Sequence, residues 1–212
     1  MAGQDRRSRI VKVAVLEPSS ASVPGVLEQN LTGVCERSIQ VEVITYDMGA
    51  GDRLETAGVR ERVRALSAAL LESGCDCVLA ARGGYGASDL LRHLDWSALT
   101  RIPPKMMVGF SDITALQSAF YTRLGWTGLH GPMPGSTLWG EGPDVTALVE
   151  LLSKERPWSG TISVKQISSD VGSEDLSGTL FGGCFSVLSN LCLLYTSPSP
   201  RDATLSRIPS SA

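Results

Sequence analysis

The sequence has few residues of the kinds that bind metals. Its 212 residues include only two histidines, His93 and His130, and five scattered cysteines that form no C-x-x-C pair. Because zinc sites need closely spaced histidine and cysteine ligands, we predict no metal, and no motif indicates another cofactor. The odd number of cysteines argues against a disulfide framework and favours a reducing compartment, the cytoplasm.

The sequence also lacks long apolar runs and an excess of one charge. Its first apolar segment, Ile10 to Leu16, is short and interrupted by Lys12, so it is neither a secretory signal nor a membrane span. The formal net charge is -3 and the isoelectric point is about 5.4. These values predict no basic surface for nucleic acid or an anionic membrane, and we exclude both as partners.

What the sequence does contain is an ordinary soluble composition with alternating strand and helix signals. Hydrophobic residues make up 42% of the chain, which is long enough to bury a core. Strands are predicted at Ile10–Leu16, Val41–Tyr46, Cys75–Ala80 and Lys105–Gly109. Helices are predicted after Pro24 and over Val59–Leu70, Ala87–Leu94 and Ile113–Leu124. This alternation predicts an α/β fold, a mainly parallel sheet flanked by helices, with ligands beyond the carboxyl ends of the strands.

The helix predicted over Val59–Leu70 carries a cluster of charges. We interpret the cluster as a solvated face of that helix. Its members are Arg60, Glu61, Arg62 and Arg64.

The turn around Ser111 is the strongest candidate for a nucleophile. It lies between the predicted strand Lys105–Gly109 and a helix that starts near Ile113 and ends at Gly125. At the start of a helix, free N–H groups and the positive end of the helix dipole favour developing negative charge. A serine there is also a common helix cap, so both interpretations stay open. A nucleophile is expected to have strained backbone angles, although Ile113 stands where a nucleophile elbow usually has glycine.

A glycine-rich loop follows the strand before that one. Gly83, Gly84 and Gly86 allow positive φ angles and a close approach of N–H groups to a ligand. We predict that this loop faces Ser111 across a cleft and completes an oxyanion hole or binds a carboxylate. The simpler alternative is a plain connection between a strand and a helix.

Three other residues carry weaker signals. His130 follows an apolar stretch and is predicted near the site, as a substrate contact or in a structural hydrogen bond. His93 is predicted to cap or solvate the end of its helix. Cys184 follows two glycines, as some cysteine nucleophiles do, but the run Leu180–Leu194 has the pattern of a core, where cysteine behaves as a small hydrophobe.

The chain resembles the LD-carboxypeptidase family of serine peptidases, which includes the microcin C immunity proteins. Three motifs match in order and spacing: Ala81-Arg82-Gly83-Gly84-Tyr85-Gly86, Gly109-Phe110-Ser111-Asp112-Ile113-Thr114-Ala115-Leu116 and His130-Gly131-Pro132-Met133. A fourth motif resembles the start of the family's second domain: Gly178-Thr179-Leu180-Phe181-Gly182-Gly183. Two departures are Cys184-Phe185, where the family usually has Asn-Leu, and Glu17, where a small residue is usual.

The resemblance implies a mechanism and assigns a role to each matching residue. Ser111 would be the nucleophile, activated by a Glu and a His of the family's C-terminal domain that have no counterpart in this chain. The resemblance also implies a small peptide substrate and leaves open whether the full-length protein is a homodimer. The other assigned residues are Gly84 and Asp112 for the oxyanion hole, through their backbone N–H groups, and Gly83, Tyr85 and His130 for substrate contact.

We divide the chain into three parts. Residues 1–155 are the N-terminal α/β domain, residues 156–194 begin an incomplete, β-rich or mixed second domain, and residues 195–212 are a tail. The tail is rich in serine and proline, so we expect it to be disordered and foreign to a natural protein that continues further. The domain boundary is predicted near Lys154–Ser159. An incomplete second domain would expose apolar side chains among Leu176, Leu180, Phe181, Val187 and Leu191.

The sequence therefore predicts an N-terminal fragment of a cytoplasmic LD-carboxypeptidase that lacks its base and is inactive alone. As the resemblance implies, the intact enzyme would cleave the amide before a terminal D-alanine in murein tetrapeptides during cell-wall recycling. Two alternatives stay open. One is a microcin-type immunity peptidase that acts on a peptide-nucleotide amide, and the other is a non-catalytic module that binds carboxylates or peptides.

Overall fold

The computed structural model describes residues 11–22, 25–35, 39–43, 56–72, 74–136, 139–140, 143–153 and 179–191. Five parallel strands form one sheet in the order β2-β1-β3-β4-β5. The strands are β1 (Val11–Leu16), β2 (Ile39–Val43), β3 (Cys77–Ala80), β4 (Met106–Val108) and β5 (Gly128–Leu129). The helices are α1 (Val26–Cys35), α2 (Thr56–Ser67), α3 (Ala87–Leu90), α4 (Trp96–Leu99), α5 (Thr114–Leu124), α6 (Pro143–Ser153) and α7 (Phe185–Leu191). The predicted α/β fold class is confirmed.

Helices cover both faces of the sheet, and alternate strand residues contribute to two separate cores. Leu16 and Val78 point to one face, where they pack with residues of α2, α3 and α5. Val15 and Leu79 point to the other face, where they pack with α1 and α6. Strands buried on both faces have continuous apolar sequences, which explains why they were recognisable as short apolar runs.

One predicted helix is shorter than the sequence suggests. The helix expected over Ala87–Leu94 ends at Leu90, and a separate helix, α4, starts at Trp96. Asp95 starts the second helix, because its side chain accepts a hydrogen bond of 2.9 Å from the N–H of Ala98 and so caps α4. His93 is exposed in the turn between the two helices.

Arg62 is buried, so its assignment to a solvated face of α2 is wrong. Its Nε donates to the carbonyl of Gly58 at 3.3 Å, and its Nη1 donates to the carbonyl of Pro18 at 3.0 Å. By contrast, Arg64 is exposed and forms a surface ion pair with Glu61 at 3.7 Å. Arg62 therefore joins α2 to the loop that follows β1.

The buried position of Arg62 makes it important for stability. We expect Arg62→Met to lower the free energy of unfolding by about 2–4 kcal/mol, because the buried Pro18 carbonyl would lose a charged donor. Urea denaturation measures this change. The matched variant Arg64→Met removes only an exposed ion pair and should cost less than about 1 kcal/mol. Equal losses in the two variants would contradict the structural role of Arg62.

The segment Thr179–Leu191 contains the described part of the predicted second domain. Leu180 and Phe181 are exposed, as predicted, and so is Phe185. Leu191 is buried in the core beside α5 and Val187 is partly buried there, so the predicted exposure is wrong at Leu191. The interpretation of the run from Leu180 as core is wrong at its three exposed large hydrophobic residues, Leu180, Phe181 and Phe185.

Several expectations fall outside the described residues. These are the domain boundary near Lys154–Ser159, the exposure of Leu176 and the tail over residues 195–212. Within the described ranges, none of the helices has both the length and the apolar character needed to cross a lipid bilayer.

Candidate active site

Ser111 lies in a strained turn at the carboxyl end of β4. The chain leaves the strand through Gly109 at φ +152° and the extended Phe110, and Ser111 itself has φ +59°. Ser111 then begins a 3-10 turn, Ser111–Ile113, that leads into α5. It is the one non-glycine residue with positive φ in the described part of the chain, so the predicted strain is confirmed. This conformation costs about 1–2 kcal/mol for a residue with a Cβ, so the surrounding structure must hold it in place.

Gly109 allows this turn to approach the sheet closely. A Cβ at Gly109 would lie 3.0 Å from the side chain of Ile113 and 3.2 Å from that of Ala80. The N–H of Gly109 also donates to the carbonyl of Leu129 at 3.0 Å, which attaches the turn to β5. Any side chain at position 109 would therefore push the Ser111 turn away from the sheet.

The glycine loop after β3 meets Ser111, as the sequence predicts. A Cβ at Gly83 would lie 3.0 Å from Ser111 Cβ and 3.3 Å from Ser111 Oγ. The reason is that β3 and β4 are parallel neighbours, so the turns that follow them emerge side by side. Gly84, the next residue, has φ +128°. Residue 83 must therefore be glycine to leave the Ser111 hydroxyl accessible.

Two backbone N–H groups lie on the turns that meet at Ser111, those of Gly84 and Asp112. Among the described residues, none accepts a hydrogen bond from the N–H of Gly84 or from the N–H of Asp112. These are the two donors that the sequence suggests for an oxyanion hole. Unpaired donors on two converging turns are suited to an oxygen that acquires negative charge.

The Asp112 side chain links three loops beneath the site. It is buried, and its Oδ2 accepts hydrogen bonds from Ser19 Oγ at 2.7 Å and from the Ala87 N–H at 2.9 Å. Ser20 contacts the glycine loop: its N–H donates to the Gly83 carbonyl at 3.3 Å, and its Oγ accepts from the Tyr85 N–H at 3.3 Å. No pattern in the sequence indicated Ser19 or Ser20.

Gln117 is another residue that no pattern in the sequence indicated. Its Nε2 lies within 2.9 to 3.1 Å of the carbonyls of Met107, Gly109 and Leu129. Gly128 makes room for it, since a Cβ there would lie 2.9 Å from the Gln117 side chain. Gln117 therefore joins α5 by hydrogen bonds to the ends of β4 and β5, directly behind the Ser111 turn.

His130 and Tyr85 lie at the rim of the site. His130 is exposed, and its ring centroid is 5.8 Å from that of Phe110, the residue before Ser111. Within the described residues, no carboxylate forms a hydrogen bond with His130. Tyr85 is 76% exposed beside the glycine loop. Both side chains are available to a ligand at this edge of the sheet.

Cys184 lies close to the start of α5. Its N–H donates to Thr114 Oγ1 at 3.0 Å, and its Sγ is 3.2 Å from Ser186 Oγ. This hydrogen bond with Ser186 is the main reason why the pKa of the Cys184 thiol is lowered. Cys184 is only half-buried, so its interpretation as a core hydrophobe is wrong. Cys77 is the opposite case, because burial raises the pKa of its thiol to about 12.

Two further features concern the surroundings of the site. The Glu17 carboxylate accepts a hydrogen bond from the N–H of Ser22, so it folds back on its own loop. In the described part of the chain, no three His, Cys, Asp or Glu side chains come together as a potential metal site.

Comparisons with known proteins agree with this geometry. The family model described as the LD-carboxypeptidase N-terminal domain matches residues 13–131, more than half of the chain. The murein tetrapeptide carboxypeptidase of Pseudomonas aeruginosa is 36% identical over 126 residues, which are 58% of this chain and 39% of that protein. The Escherichia coli microcin C7 self-immunity protein MccF is 26% identical over 129 residues, 58% of this chain and 36% of that protein.

A solved structure shows the same architecture over more of the chain. The crystal structure of muramoyltetrapeptide carboxypeptidase from Oxalobacter formigenes matches with a TM-score of 0.65 and 26% sequence identity. The match covers 86% of this chain and 60% of that chain. The chain spans about two fifths of the length of the curated relatives cited above. The family model, the shared fold and the glycine and serine turns at the sheet edge together establish that this chain belongs to the LD-carboxypeptidase family.

Proposed function

We propose that Ser111 is the nucleophile of a serine carboxypeptidase that cleaves the amide before a terminal D-alanine in murein tetrapeptides. The observation that carries this proposal is the strained Ser111, whose Oγ lies beside the glycine loop at the carboxyl edge of the sheet. Strained backbone angles of this kind cluster at active sites, and this supports the assignment. The names of the relatives from Pseudomonas aeruginosa and Oxalobacter formigenes support the substrate.

We propose the following reaction for these groups. Ser111 Oγ attacks the scissile carbonyl carbon and forms a tetrahedral intermediate. The N–H groups of Gly84 and Asp112 hold the oxygen that becomes negative. The C–N bond then breaks, D-alanine leaves with a proton on its amine, and water hydrolyses the ester on Ser111. Gly83, Tyr85 and His130 lie along the path of the substrate.

A general base is also required, because a serine hydroxyl is a weak nucleophile until its proton is removed. His130 is exposed and has no carboxylate partner in the described part of the chain, so it is poorly suited to this task. We infer that a histidine and a glutamate beyond the described residues complete the site in a longer form of the protein. On this proposal the chain alone is inactive, and the enzyme works in the cytoplasm on recycled cell-wall peptides.

Product analysis tests the proposed substrate and bond. The full-length form is expressed from the complete reading frame in the source genome. It is incubated with murein tetrapeptide ending in D-alanine and, as a control, with the same peptide ending in L-alanine. We expect mass spectrometry to show tripeptide and free D-alanine from the first peptide only. If the protein instead hydrolyses an aminoacyl-nucleotide amide, it acts as a microcin-type immunity peptidase. Binding of the tetrapeptide without cleavage would indicate a non-catalytic binding module.

A further inference from the structure

We propose that Ser19 and Ser20, in the loop after β1, position the two halves of the oxyanion hole. This inference rests on the proposed function, because it concerns the N–H groups of Gly84 and Asp112. The two serines are adjacent in the sequence, yet each contacts a different half of the site. Neither is near Ser111 in the sequence.

Ser19 fixes the half of the site that belongs to the Ser111 turn. It is fully buried, and its hydroxyl donates to Asp112 Oδ2 at 2.7 Å. The same carboxylate oxygen accepts from the N–H of Ala87 at 2.9 Å. Hydrogen bonds to a carboxylate are short and strong, so they restrict the rotation of residue 112. The backbone N–H of that residue is thereby kept in a single direction.

Ser20 fixes the half that belongs to the glycine loop. Its N–H donates to the Gly83 carbonyl, and its Oγ accepts from the Tyr85 N–H, both at 3.3 Å. These bonds hold the chain on either side of Gly84. A Cβ at Gly84 would overlap the Ser20 side chain, so the two loops are in direct contact. Gly84 can therefore turn its N–H only as far as Ser20 allows.

The serine pair is itself anchored in the core. The carbonyl of Pro18 accepts the hydrogen bond from the buried Arg62. The loop also follows β1 at its boundary with β3 in the sheet. From β1 the chain continues to β2 on one side and to β3 on the other, and open α/β sheets bind ligands at such a switch point. A rigid attachment at this point lets the serines act on both turns at once.

We expect the loss of either serine hydroxyl to weaken binding of a tetrahedral ligand more than binding of a planar one. Removing an oxyanion donor outright costs about 10²- to 10³-fold. Removing a serine hydroxyl only displaces the N–H donor of Gly84 or Asp112. We therefore expect the affinity for a tetrahedral analogue to fall about 10- to 100-fold. A planar ligand interacts more weakly with these N–H donors, so its affinity should change less than about threefold.

The test uses the full-length form, which supplies the proposed base, and two ligands. One is a boronic acid analogue of the murein tripeptide, with boron in place of the terminal carboxyl carbon. Ser111 Oγ adds to the boron, the serine proton passes to solvent, and a tetrahedral anion forms. The other ligand is the tripeptide carboxylate. Calorimetry gives both affinities, and boron NMR detects the tetrahedral adduct.

We expect Ser19→Ala and Ser20→Ala to weaken binding of the boronic acid and to leave tripeptide binding within about threefold. The matched variant Ser97→Ala removes an exposed hydroxyl on α4, whose partner is Arg101, and should change neither affinity. If both ligands weaken equally, or neither weakens, the serines do not position the oxyanion hole and the inference is wrong. If Ser19→Ala does not fold, Ser20→Ala decides alone; it removes the hydroxyl that accepts from the Tyr85 N–H and keeps the backbone bond to the Gly83 carbonyl.

The same measurements separate this inference from the proposed function. If the unchanged full-length form forms no boron adduct, or its Ser111→Ala variant binds the boronic acid equally well, the proposed role of Ser111 fails. If the adduct forms at Ser111 and the Ser19 and Ser20 variants bind it like the unchanged full-length form, only the positioning role fails.

Discussion

Ser111→Ala is expected to reduce D-alanine release by the full-length form about 10⁶-fold, the loss seen when a serine peptidase loses its nucleophile. The hydroxyl is the only part of the side chain that is removed, and it is the group that would form the covalent bond. The methyl of alanine fits the space beside Gly83, so the fold should persist. A continuous D-alanine assay measures the rate, and tripeptide binding should stay close to that of the unchanged enzyme.

Two further variants control for indirect effects. Ser111→Gly should be equally inactive but more stable than Ser111→Ala by about 1 kcal/mol, because glycine adopts φ +59° without steric cost. Ser97→Ala removes an exposed hydroxyl on α4 that contacts Arg101, so this variant should keep full activity. A Ser111→Ala enzyme that retained more than about a tenth of the rate would contradict the assignment, since the loss of a nucleophile costs far more.

The second large expected effect is a very low rate of D-alanine release by this chain in the absence of the rest of the protein. We expect its rate of D-alanine release to be at least about 10⁴-fold below that of the full-length form, because removing the base of a triad leaves only the oxyanion hole and binding. The described residues hold one histidine near the site, His130, and it has no partner carboxylate there. The same D-alanine assay compares the two proteins at equal concentration.

His130→Ala is the informative variant for this prediction. It should leave the low rate of the chain unchanged, and in the full-length form it should raise KM more than it lowers kcat, as expected for a substrate contact. Robust turnover by the chain that disappears in His130→Ala would show a complete acid–base apparatus within these residues. That result would overturn the inference that the base lies elsewhere.

The sequence predicted those parts of the molecule that depend on local pattern. The strands β1, β3 and β4 were recognisable because buried parallel strands are short apolar runs. The turn at Ser111 and the loop at Gly83 could be placed at one edge of the sheet, because each follows a strand and parallel strands end on the same side. The strain at Ser111 was also foreseeable from its place between a strand and a helix.

What the sequence did not predict depends on contacts between distant residues. Ser19 meets Asp112 across 93 positions, and Arg62 meets Pro18 across 44. Such contacts follow from the placement of β1 beside β3. The spacing of apolar residues within a single strand or helix does not predict that placement. Arg62 carried one overlooked signal: its spacing from Val59 and Leu66 places it on the apolar side of α2.

The most direct test of the central claim is to identify the residue that carries the acyl group during turnover. A murein depsipeptide, with D-lactate in place of the terminal D-alanine, gives fast acylation and lets the acyl-enzyme accumulate. Rapid acid quench, digestion and mass spectrometry then locate the acyl group. We predict one tripeptide acyl group, on the peptide that contains Ser111, and none on that peptide in Ser111→Ala. An acyl group on Cys184, or undiminished turnover by Ser111→Ala, would contradict the account.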